Sequence, residues 1–129
     1  MQSLCDQVSA STDSLSVLIN NAGVYEPDYS ITEDGFETTF AVNVLAPYYI
    51  TQRLLPLLER CPEKPARVVN VSSISQGYEA GLDDLQFKEG GYDSHRAYSL
   101  SKLCMAMFSK ELAERYLAPI QPLEPLTKL

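Results

Sequence analysis

The sequence has few of the side chains from which metal and redox sites are built. It contains a single histidine, His95, and three cysteines, Cys5, Cys61 and Cys104, which lie far apart. One imidazole cannot form a histidine-based metal site, and the cysteine spacing matches neither a metal-ligand nor a redox motif. We therefore expect no bound metal. An odd number of widely spaced cysteines also indicates a reducing compartment, so we expect the cytoplasm.

Long apolar runs and basic clusters are also missing. No stretch approaches about 18 consecutive apolar residues, and no basic segment followed by an apolar core opens the chain, so we expect neither a membrane span nor a secretory signal. The net charge is −7, which argues against a nucleic-acid partner or an anionic membrane. The 129 residues, with 45% hydrophobic and 21% charged side chains, have the composition of one soluble globular domain.

Two short apolar runs predict buried strands. Residues 15–19 read Leu-Ser-Val-Leu-Ile, and residues 67–73 are rich in β-branched side chains. The predicted helices are the end of one over 1–12, one from Thr32 to about Asn43 with Ile31 and Phe36 as a hydrophobic staple, one beginning at Pro47, and one over 94–115. Strands that alternate with helices imply the α/β class, with a parallel sheet and right-handed crossovers.

Two further segments are predicted to lie outside regular structure. Residues 74–93 form a long loop with four glycines and few apolar anchors, and a loop of this length in a compact domain is usually functional. Residues 117–129 contain three prolines and are expected to form an extended or disordered tail. We find no domain boundary within residues 1–116.

The helix over 94–115 carries a tyrosine and a lysine one turn apart. Tyr98 and Lys102 are four positions apart, which places both side chains on one helix face. An ammonium close to a phenol favours the phenolate, so the pair suits acid–base chemistry. Taken alone, Tyr-x-x-x-Lys often arises by chance, and a surface tyrosine beside a solvated lysine has the same pattern.

Four motifs in a fixed order resemble the short-chain dehydrogenase/reductase family. They are Asn20-Asn21-Ala22-Gly23 after a strand, Asn43 late in a helix, Ser72-Ser73 at the end of a strand, and Tyr98-x-x-x-Lys102 in a helix. The similarity extends over about residues 1–116. The long gap between Ser73 and Tyr98 and the piece Asp84-Leu85-Gln86-Phe87 look most like the retinol-dehydrogenase-like branch.

This resemblance implies a fold, a reaction and ligands. The fold would be part of a Rossmann-type doubly wound parallel sheet, limited to central strands and their helices. The reaction would be carbonyl reduction or alcohol oxidation of a small molecule, dependent on NAD(P)(H), with NADP favoured over NAD by the branch alone. In this family the helices near residues 47–59 and 97–115 commonly form dimer interfaces, so the resemblance implies a homo- or hetero-oligomer.

The resemblance also implies catalytic roles for four residues. Tyr98 would be the general acid in carbonyl reduction and the base in alcohol oxidation. Lys102 would favour the phenolate and contact the nicotinamide ribose. Ser73 would hold the substrate oxygen. Asn43 would hold a water that links Lys102 to solvent as a proton relay.

The backbone of Asn21, Ala22 and Gly23 would pack against the cofactor, together with Tyr98 and Lys102. A glycine is expected there because a Cβ would block close approach.

Two departures from the family pattern put the activity of this chain in question. Residues 1–14 contain nothing similar to the glycine-rich strand–turn–helix that binds the cofactor pyrophosphate in Rossmann folds. Beyond Tyr116, proline-rich sequence replaces the further strands. The chain therefore resembles a family member truncated at both ends. The alternative function is a catalytically inactive form that acts through binding or dimerisation with a full-length homologue.

Overall fold

In the computed structural model, residues 1–62, 65–77 and 82–116 are described, and they form a parallel strand pair packed against helices. The elements are α1 (Gln2–Ser11), β1 (Val17–Asn20), α2 (Thr38–Phe40), a π-helical turn (Ala41–Leu45), α3 (Ala46–Glu59), β2 (Arg67–Asn70) and α4 (Ser94–Tyr116). The predicted tail over 117–129 lies outside the described residues.

The two strands pair in parallel, as the sequence predicts. Val17 lies opposite Arg67, and the register continues to Asn20 opposite Asn70. The helical segment from α2 to α3 connects the strands, which confirms the α/β class. Both strands are shorter than predicted. β1 begins at Val17 rather than at residue 15, and β2 ends at Asn70, after which the carbonyl of Val71 accepts a hydrogen bond from Nζ of Lys102.

The apolar core lies on one side of this sheet. Cys5 of α1 packs with Leu54 and Leu57 of α3, and Leu18 of β1 joins them. Two further clusters connect the π-helical turn and the loop before α4 to α4 itself; their buried members are Phe40, Val44 and Met105 in one and Phe87, Ala97 and Leu100 in the other. Burying a large apolar side chain contributes roughly 1.5–3 kcal/mol. The first cluster therefore fixes α1 and α3 against β1, and the other two fix α4 against the π-helical turn and the loop before it.

The predicted helix start at Thr32 is wrong. Residues 32–36 form a turn, with Gly35 at a φ of +81°, and an isolated antiparallel bridge joins Ile31 to Glu37. The proposed staple also fails, because Ile31 and Phe36 are exposed. The physical reason is Glu37, whose buried carboxylate accepts hydrogen bonds from the backbone N–H groups of Thr39 and Phe40. This cap makes the helix begin at Thr38, six residues after the predicted start.

The sequence predicted a separate helix beginning at Pro47, but Pro47 lies inside a continuous helical segment. Helical structure runs from Thr38 to Glu59 without a break, and Pro47 directly follows the π-helical turn. Proline has no N–H, so it cannot complete the α-helical ladder to the carbonyl of Asn43, four residues earlier. Single π turns inside α-helices are frequent at functional sites. Pro56 lies inside α3, which continues to Glu59.

The loop before α4 is better anchored than the sequence suggests. Within residues 82–93, Phe87 is buried, and Asp84 accepts hydrogen bonds from the backbone N–H groups of Gln86, Lys88 and Glu89. The prediction of few apolar anchors is therefore wrong for this part of the loop. The hydrogen bond from Glu89 is the main cause that lowers the pKa of the Asp84 carboxyl.

The predicted helix over 94–115 is confirmed as α4. Asp93 caps it, since its carboxylate accepts a hydrogen bond from the backbone N–H of Arg96 at 2.7 Å. Leu100, Met105 and Leu112 face the core. Among the helices in the described ranges, none has the combination of length and apolar character needed to cross a bilayer.

Candidate active site

A buried asparagine ties the segment after β1 to α4. Asn43, which is 2% exposed, accepts a hydrogen bond at Oδ1 from the backbone N–H of Val24 at 2.8 Å. Its Nδ2 donates to the carbonyl of Val24 at 2.9 Å and to Oγ of Ser101 at 3.0 Å. Both N–H donors of this side chain are therefore used, and the backbone at Val24 is held at both of its polar groups.

Gly23 lies against two of the predicted catalytic side chains. A Cβ added at this position would come within 3.3 Å of Oδ1 of Asn43 and 3.4 Å of Nζ of Lys102. The close packing explains why a glycine stands here, although its backbone is not in a glycine-specific conformation. Asn21 and Ala22 are exposed in the same segment. The structure thus brings Gly23, Asn43 and Lys102 together.

Lys102 is buried without a carboxylate. The residue is 5% exposed, and its Nζ donates to the carbonyl of Val71 at 3.1 Å. The ion pairs found among the described residues join other side chains. Removing an ammonium from water costs several kcal/mol unless polar groups compensate. Here the compensation comes from the Val71 carbonyl and from the ring of Tyr98, whose centroid lies 5.5 Å from Nζ.

Tyr98 is half-buried, with Lys102 close to its ring, which confirms that the two side chains meet. A second ring also contacts it: Tyr25 and Tyr98 have their centroids 5.6 Å apart at an interplanar angle of 56°. The hydroxyl of Tyr25 forms a hydrogen bond with that of Ser94 at 2.9 Å. Tyr25 is not among the residues predicted from the sequence; its place two residues after Gly23 is the available signal.

Ser73 follows the carboxyl end of β2 but makes its side-chain hydrogen bond within its own loop. Its Oγ accepts a hydrogen bond from the backbone N–H of Ser75 at 3.1 Å. No hydrogen bond within the described residues joins Ser73 to Tyr98. Ser72 instead donates to the carbonyl of Lys102 at 3.0 Å and so anchors α4 to the end of β2.

A polar network that was not predicted from the sequence joins the two strand ends to α3 and α4. Asn20 donates to Oγ1 of Thr51 at 3.0 Å and to Oδ1 of Asn70 at 2.7 Å. Asn70 donates in turn to Oγ of Ser109 at 2.8 Å. These four side chains connect β1, β2, α3 and α4, and two asparagines within otherwise apolar strands were the signal for it. The network fixes the strand ends from which the site residues project.

Tyr92 joins the two loops beside the site. Its hydroxyl donates to the carbonyl of Glu26 at 2.8 Å, and its ring makes edge contacts with Tyr29 and Phe87 at 5.6 and 5.2 Å. Burial raises the pKa of the Tyr92 phenol, because the charged phenolate would be poorly solvated there. Tyr92 therefore stays protonated near neutral pH and acts as a structural link.

The described residues fit the nicotinamide end of a dinucleotide better than its phosphates. The exposed segment from Asn21 to Gly23 lies beside the buried Lys102 and carries no bulky side chain at Gly23. In contrast, no glycine-rich turn leads from a strand into a helix within the ranges 1–62, 65–77 and 82–116. The backbone amides that bind a pyrophosphate in Rossmann folds are therefore not supplied by these residues.

Comparison with known proteins finds a family match over almost the whole chain. The family described as short chain dehydrogenase matches residues 1–119. Retinol dehydrogenase 14 of Mus musculus is 41% identical over 116 residues, covering 89% of this chain and 34% of that protein. Retinol dehydrogenase 12 of Homo sapiens is 46% identical over 102 residues, covering 78% and 31% respectively. The chain thus spans about a third of the length of the curated relatives it matches.

Solved structures show the same fold. An uncharacterised protein from Mycobacterium paratuberculosis matches with a TM-score of 0.71 and 34% identity, over 88% of this chain and 40% of that one. Pseudomonas aeruginosa RhlG, solved with NADP, matches with a TM-score of 0.65 and 29% identity, over 88% and 41%. The Rossmann-type sheet that the resemblance implied is confirmed. The chain belongs to the short-chain dehydrogenase/reductase family, and its relatives are of the retinol-dehydrogenase-like branch.

Proposed function

We propose that this chain carries the proton-transfer part of an NAD(P)(H)-dependent oxidoreductase that reduces a carbonyl or oxidises an alcohol of a small molecule. The observation that supports this most strongly is the burial of Lys102 between the ring of Tyr98 and the carbonyl of Val71, without a carboxylate. An arrangement this costly is typical of a functional group. The family match favours this function over an inactive binding fragment.

Tyr98 acts as the acid–base group in this proposal. In the reduction its hydroxyl gives a proton to the substrate oxygen, and in the oxidation the phenolate takes that proton back. The buried charge of Lys102 stabilises the phenolate form while the proton is away. A bound nicotinamide would supply or accept the hydride.

Ser73 holds the substrate oxygen in the same proposal. Its hydroxyl donates to the charge that develops on that oxygen during the reaction. Because Ser73 now accepts a hydrogen bond from Ser75, its own O–H is still available to donate.

Asn43 holds the relay water through its backbone in this proposal, because its side chain is committed to Val24 and Ser101. The backbone carbonyl of Asn43 has no α-helical partner, since Pro47 lacks an N–H. That carbonyl is therefore the group proposed to bind the water that connects Lys102 to solvent.

Pro47→Ala tests the relay, because it offers an N–H to the carbonyl of Asn43. We expect slower turnover and a changed pH dependence of kcat, measured in a chimaera in which residues 1–116 replace the corresponding segment of a longer relative. Pro56→Ala is the matched control, since Pro56 lies in the same helix away from the site. Equal rates for the two variants would contradict the relay.

The proposed cofactor contacts are the backbone of Asn21, Ala22 and Gly23, with Tyr98 and Lys102. NADP is proposed ahead of NAD, supported by the branch and by RhlG, which was solved with NADP. Calorimetric titration of the 129-residue chain with NADPH and NADH measures the preference; tighter binding of NADH would reject it.

The cytoplasmic location stays a prediction.

A chimaera tests the proposed activity. Residues 1–116 replace the corresponding segment of mouse retinol dehydrogenase 14, whose similarity to this chain extends over 116 residues, so that the rest of the fold is supplied. We expect NADPH-dependent reduction of an aldehyde, and a loss of roughly 100-fold or more in Lys102→Ala. Lys110→Ala is the control, because Lys110 lies exposed on the same helix. A folded chimaera without turnover, or an active Lys102→Ala variant, would reject the proposal.

We also propose self-association through the outer surfaces of α3 and α4. Tyr48 on α3 and Met107 on α4 are exposed, and Tyr48 packs edge-on against Phe108 at 5.5 Å between centroids. Exposed apolar side chains on adjoining helices favour contact with a second subunit. Light scattering should show a dimer that Tyr48→Ser with Met107→Lys reduces to a monomer; a monomeric parent chain would contradict this.

A further inference from the structure

Tyr25 contacts two residues of α4 that lie on the same helix face. Its ring packs on that of Tyr98 with centroids 5.6 Å apart, and its hydroxyl bonds to that of Ser94 at 2.9 Å. Ser94 and Tyr98 are four positions apart, so they lie one above the other along the helix. One side chain therefore spans the first turn of α4 and reaches the proposed proton donor.

The backbone that carries Tyr25 is itself fixed. The preceding residue, Val24, is held at both its N–H and its carbonyl by the buried side chain of Asn43. Gly23 packs on Asn43 and on Nζ of Lys102. Because the two residues before Tyr25 are anchored at this edge of the site, Tyr25 has a rigid base from which to hold the ring of Tyr98.

Tyr98 is thus contacted by two groups of different kinds. Nζ of Lys102 lies 5.5 Å from the centroid of its ring, and the ring of Tyr25 packs against it in a tilted geometry. Tilted aromatic pairs are stabilising beyond the area that they bury. Lys102 supplies charge, and Tyr25 supplies a rigid aromatic surface without charge.

We propose that Tyr25 is a positioning residue for Tyr98, holding its ring in one orientation through the aromatic contact and the hydrogen bond to Ser94. The proposal rests on the proposed function of Tyr98, because orientation matters for a proton donor. It goes beyond that function by assigning a role to a residue outside the four motifs. Half of the Tyr25 surface is exposed, so the apolar core does not explain its contacts.

Tyr29 provides the matched comparison. It lies in the same loop with a similar exposure, 46% against 50% for Tyr25. Its ring packs on Tyr92 at 5.6 Å, whereas that of Tyr25 packs on Tyr98. Loss of either ring removes an exposed aromatic side chain from the loop, but only the loss of Tyr25 removes a partner of Tyr98.

The test is NMR on the 129-residue chain with ¹³C-labelled tyrosine, using Tyr98→Phe to assign the Tyr98 ring signals. We expect Tyr25→Leu to raise the flipping rate of the Tyr98 ring roughly two- to tenfold. Tyr25→Phe should retain most of the restraint, since it keeps the ring and loses only the hydrogen bond. Tyr29→Leu should leave Tyr98 unchanged. Ser94→Ala, which leaves both rings in place, should give a small increase.

Unchanged Tyr98 dynamics in Tyr25→Leu, or an equal change in Tyr29→Leu, would overturn the proposal. If Tyr25→Leu fails to fold, Tyr25→Phe and Ser94→Ala test the proposal instead. A faster flipping rate of the Tyr98 ring in either variant supports it, and an unchanged rate in both variants rejects it. This readout does not depend on turnover. A positive result therefore stands even if Tyr98 is shown not to donate the proton.

Discussion

The two faces of the strand pair differ sharply. On one face Leu18 joins the core with α1 and α3, and Asn20 enters the polar network beneath the site. On the other face Val17, Ile19 and Val69 are exposed, with Ile19 at 61%. In a doubly wound sheet, helices cover both faces. The described residues therefore complete the side on which the proposed proton transfer takes place, and they leave the opposite face uncovered.

The largest effect on the completed side is expected from Asn43→Leu. This change removes the partners of the Val24 N–H and carbonyl and of Ser101, and it leaves buried polar groups unsatisfied. We expect a loss of about 3 kcal/mol in the free energy of unfolding, measured by urea denaturation. Asn21→Leu is the control, because Asn21 is exposed. Equal losses in the two variants would show that Asn43 does not hold the site together.

Neighbouring residues of β1 compare the two faces directly. Leu18→Thr places a hydroxyl and a void beside Cys5 and Leu54, so we expect a loss of roughly 2 kcal/mol in the free energy of unfolding. Ile19→Thr alters an exposed position and should stay within about 0.5 kcal/mol. Urea denaturation of the two variants measures both losses. A larger stability loss at Ile19 would mean that its face is covered in the folded chain.

The smallest effect is expected from the carboxylate of Asp84. Its folded-state pKa lies below the ordinary value of 3.8, because the backbone N–H of Glu89 and then those of Lys88 and Gln86 donate hydrogen bonds to the carboxylate. The stabilisation of this turn is therefore complete above about pH 4 and is lost as the pH falls through the lowered pKa. Hydrogen exchange should show lower protection of the Lys88 and Glu89 amides at pH 3 than at pH 5.

Asp84→Ala should give the same low protection at both pH values. Asp83→Ala is the control, since Asp83 is the adjacent exposed carboxylate. Protection that does not depend on pH in the parent chain would contradict the role of Asp84.

Sequence reasoning succeeded where one helix carries the whole signal. Tyr98, Lys102 and the apolar side chains of α4 are related by helical spacing alone, so both α4 and the pair could be predicted. The parallel pairing of the strands also followed from the alternation of strands and helices. These features depend on neighbours along the chain, which a sequence displays directly.

The errors arise where distant residues decide the structure. The helix begins at Thr38 rather than at the predicted Thr32, because the buried carboxylate of Glu37 caps its backbone. The backbone N–H of Glu37 in turn donates a hydrogen bond to the side chain of Gln86, which lies in a loop far along the chain. The contact of Tyr25 with Tyr98 likewise joins residues far apart in sequence. Local patterns do not reveal such contacts, because they exist only once the fold brings the segments together.

The most direct test of the central claim compares Tyr98→Phe with Tyr92→Phe in the chimaera that carries residues 1–116. Both changes remove one hydroxyl, but Tyr92 donates to the carbonyl of Glu26, whereas Tyr98 is the proposed proton donor. We predict that Tyr98→Phe lowers kcat for carbonyl reduction about 100- to 10,000-fold and that Tyr92→Phe retains most of the activity. Full turnover in a folded Tyr98→Phe variant would contradict the proposed site.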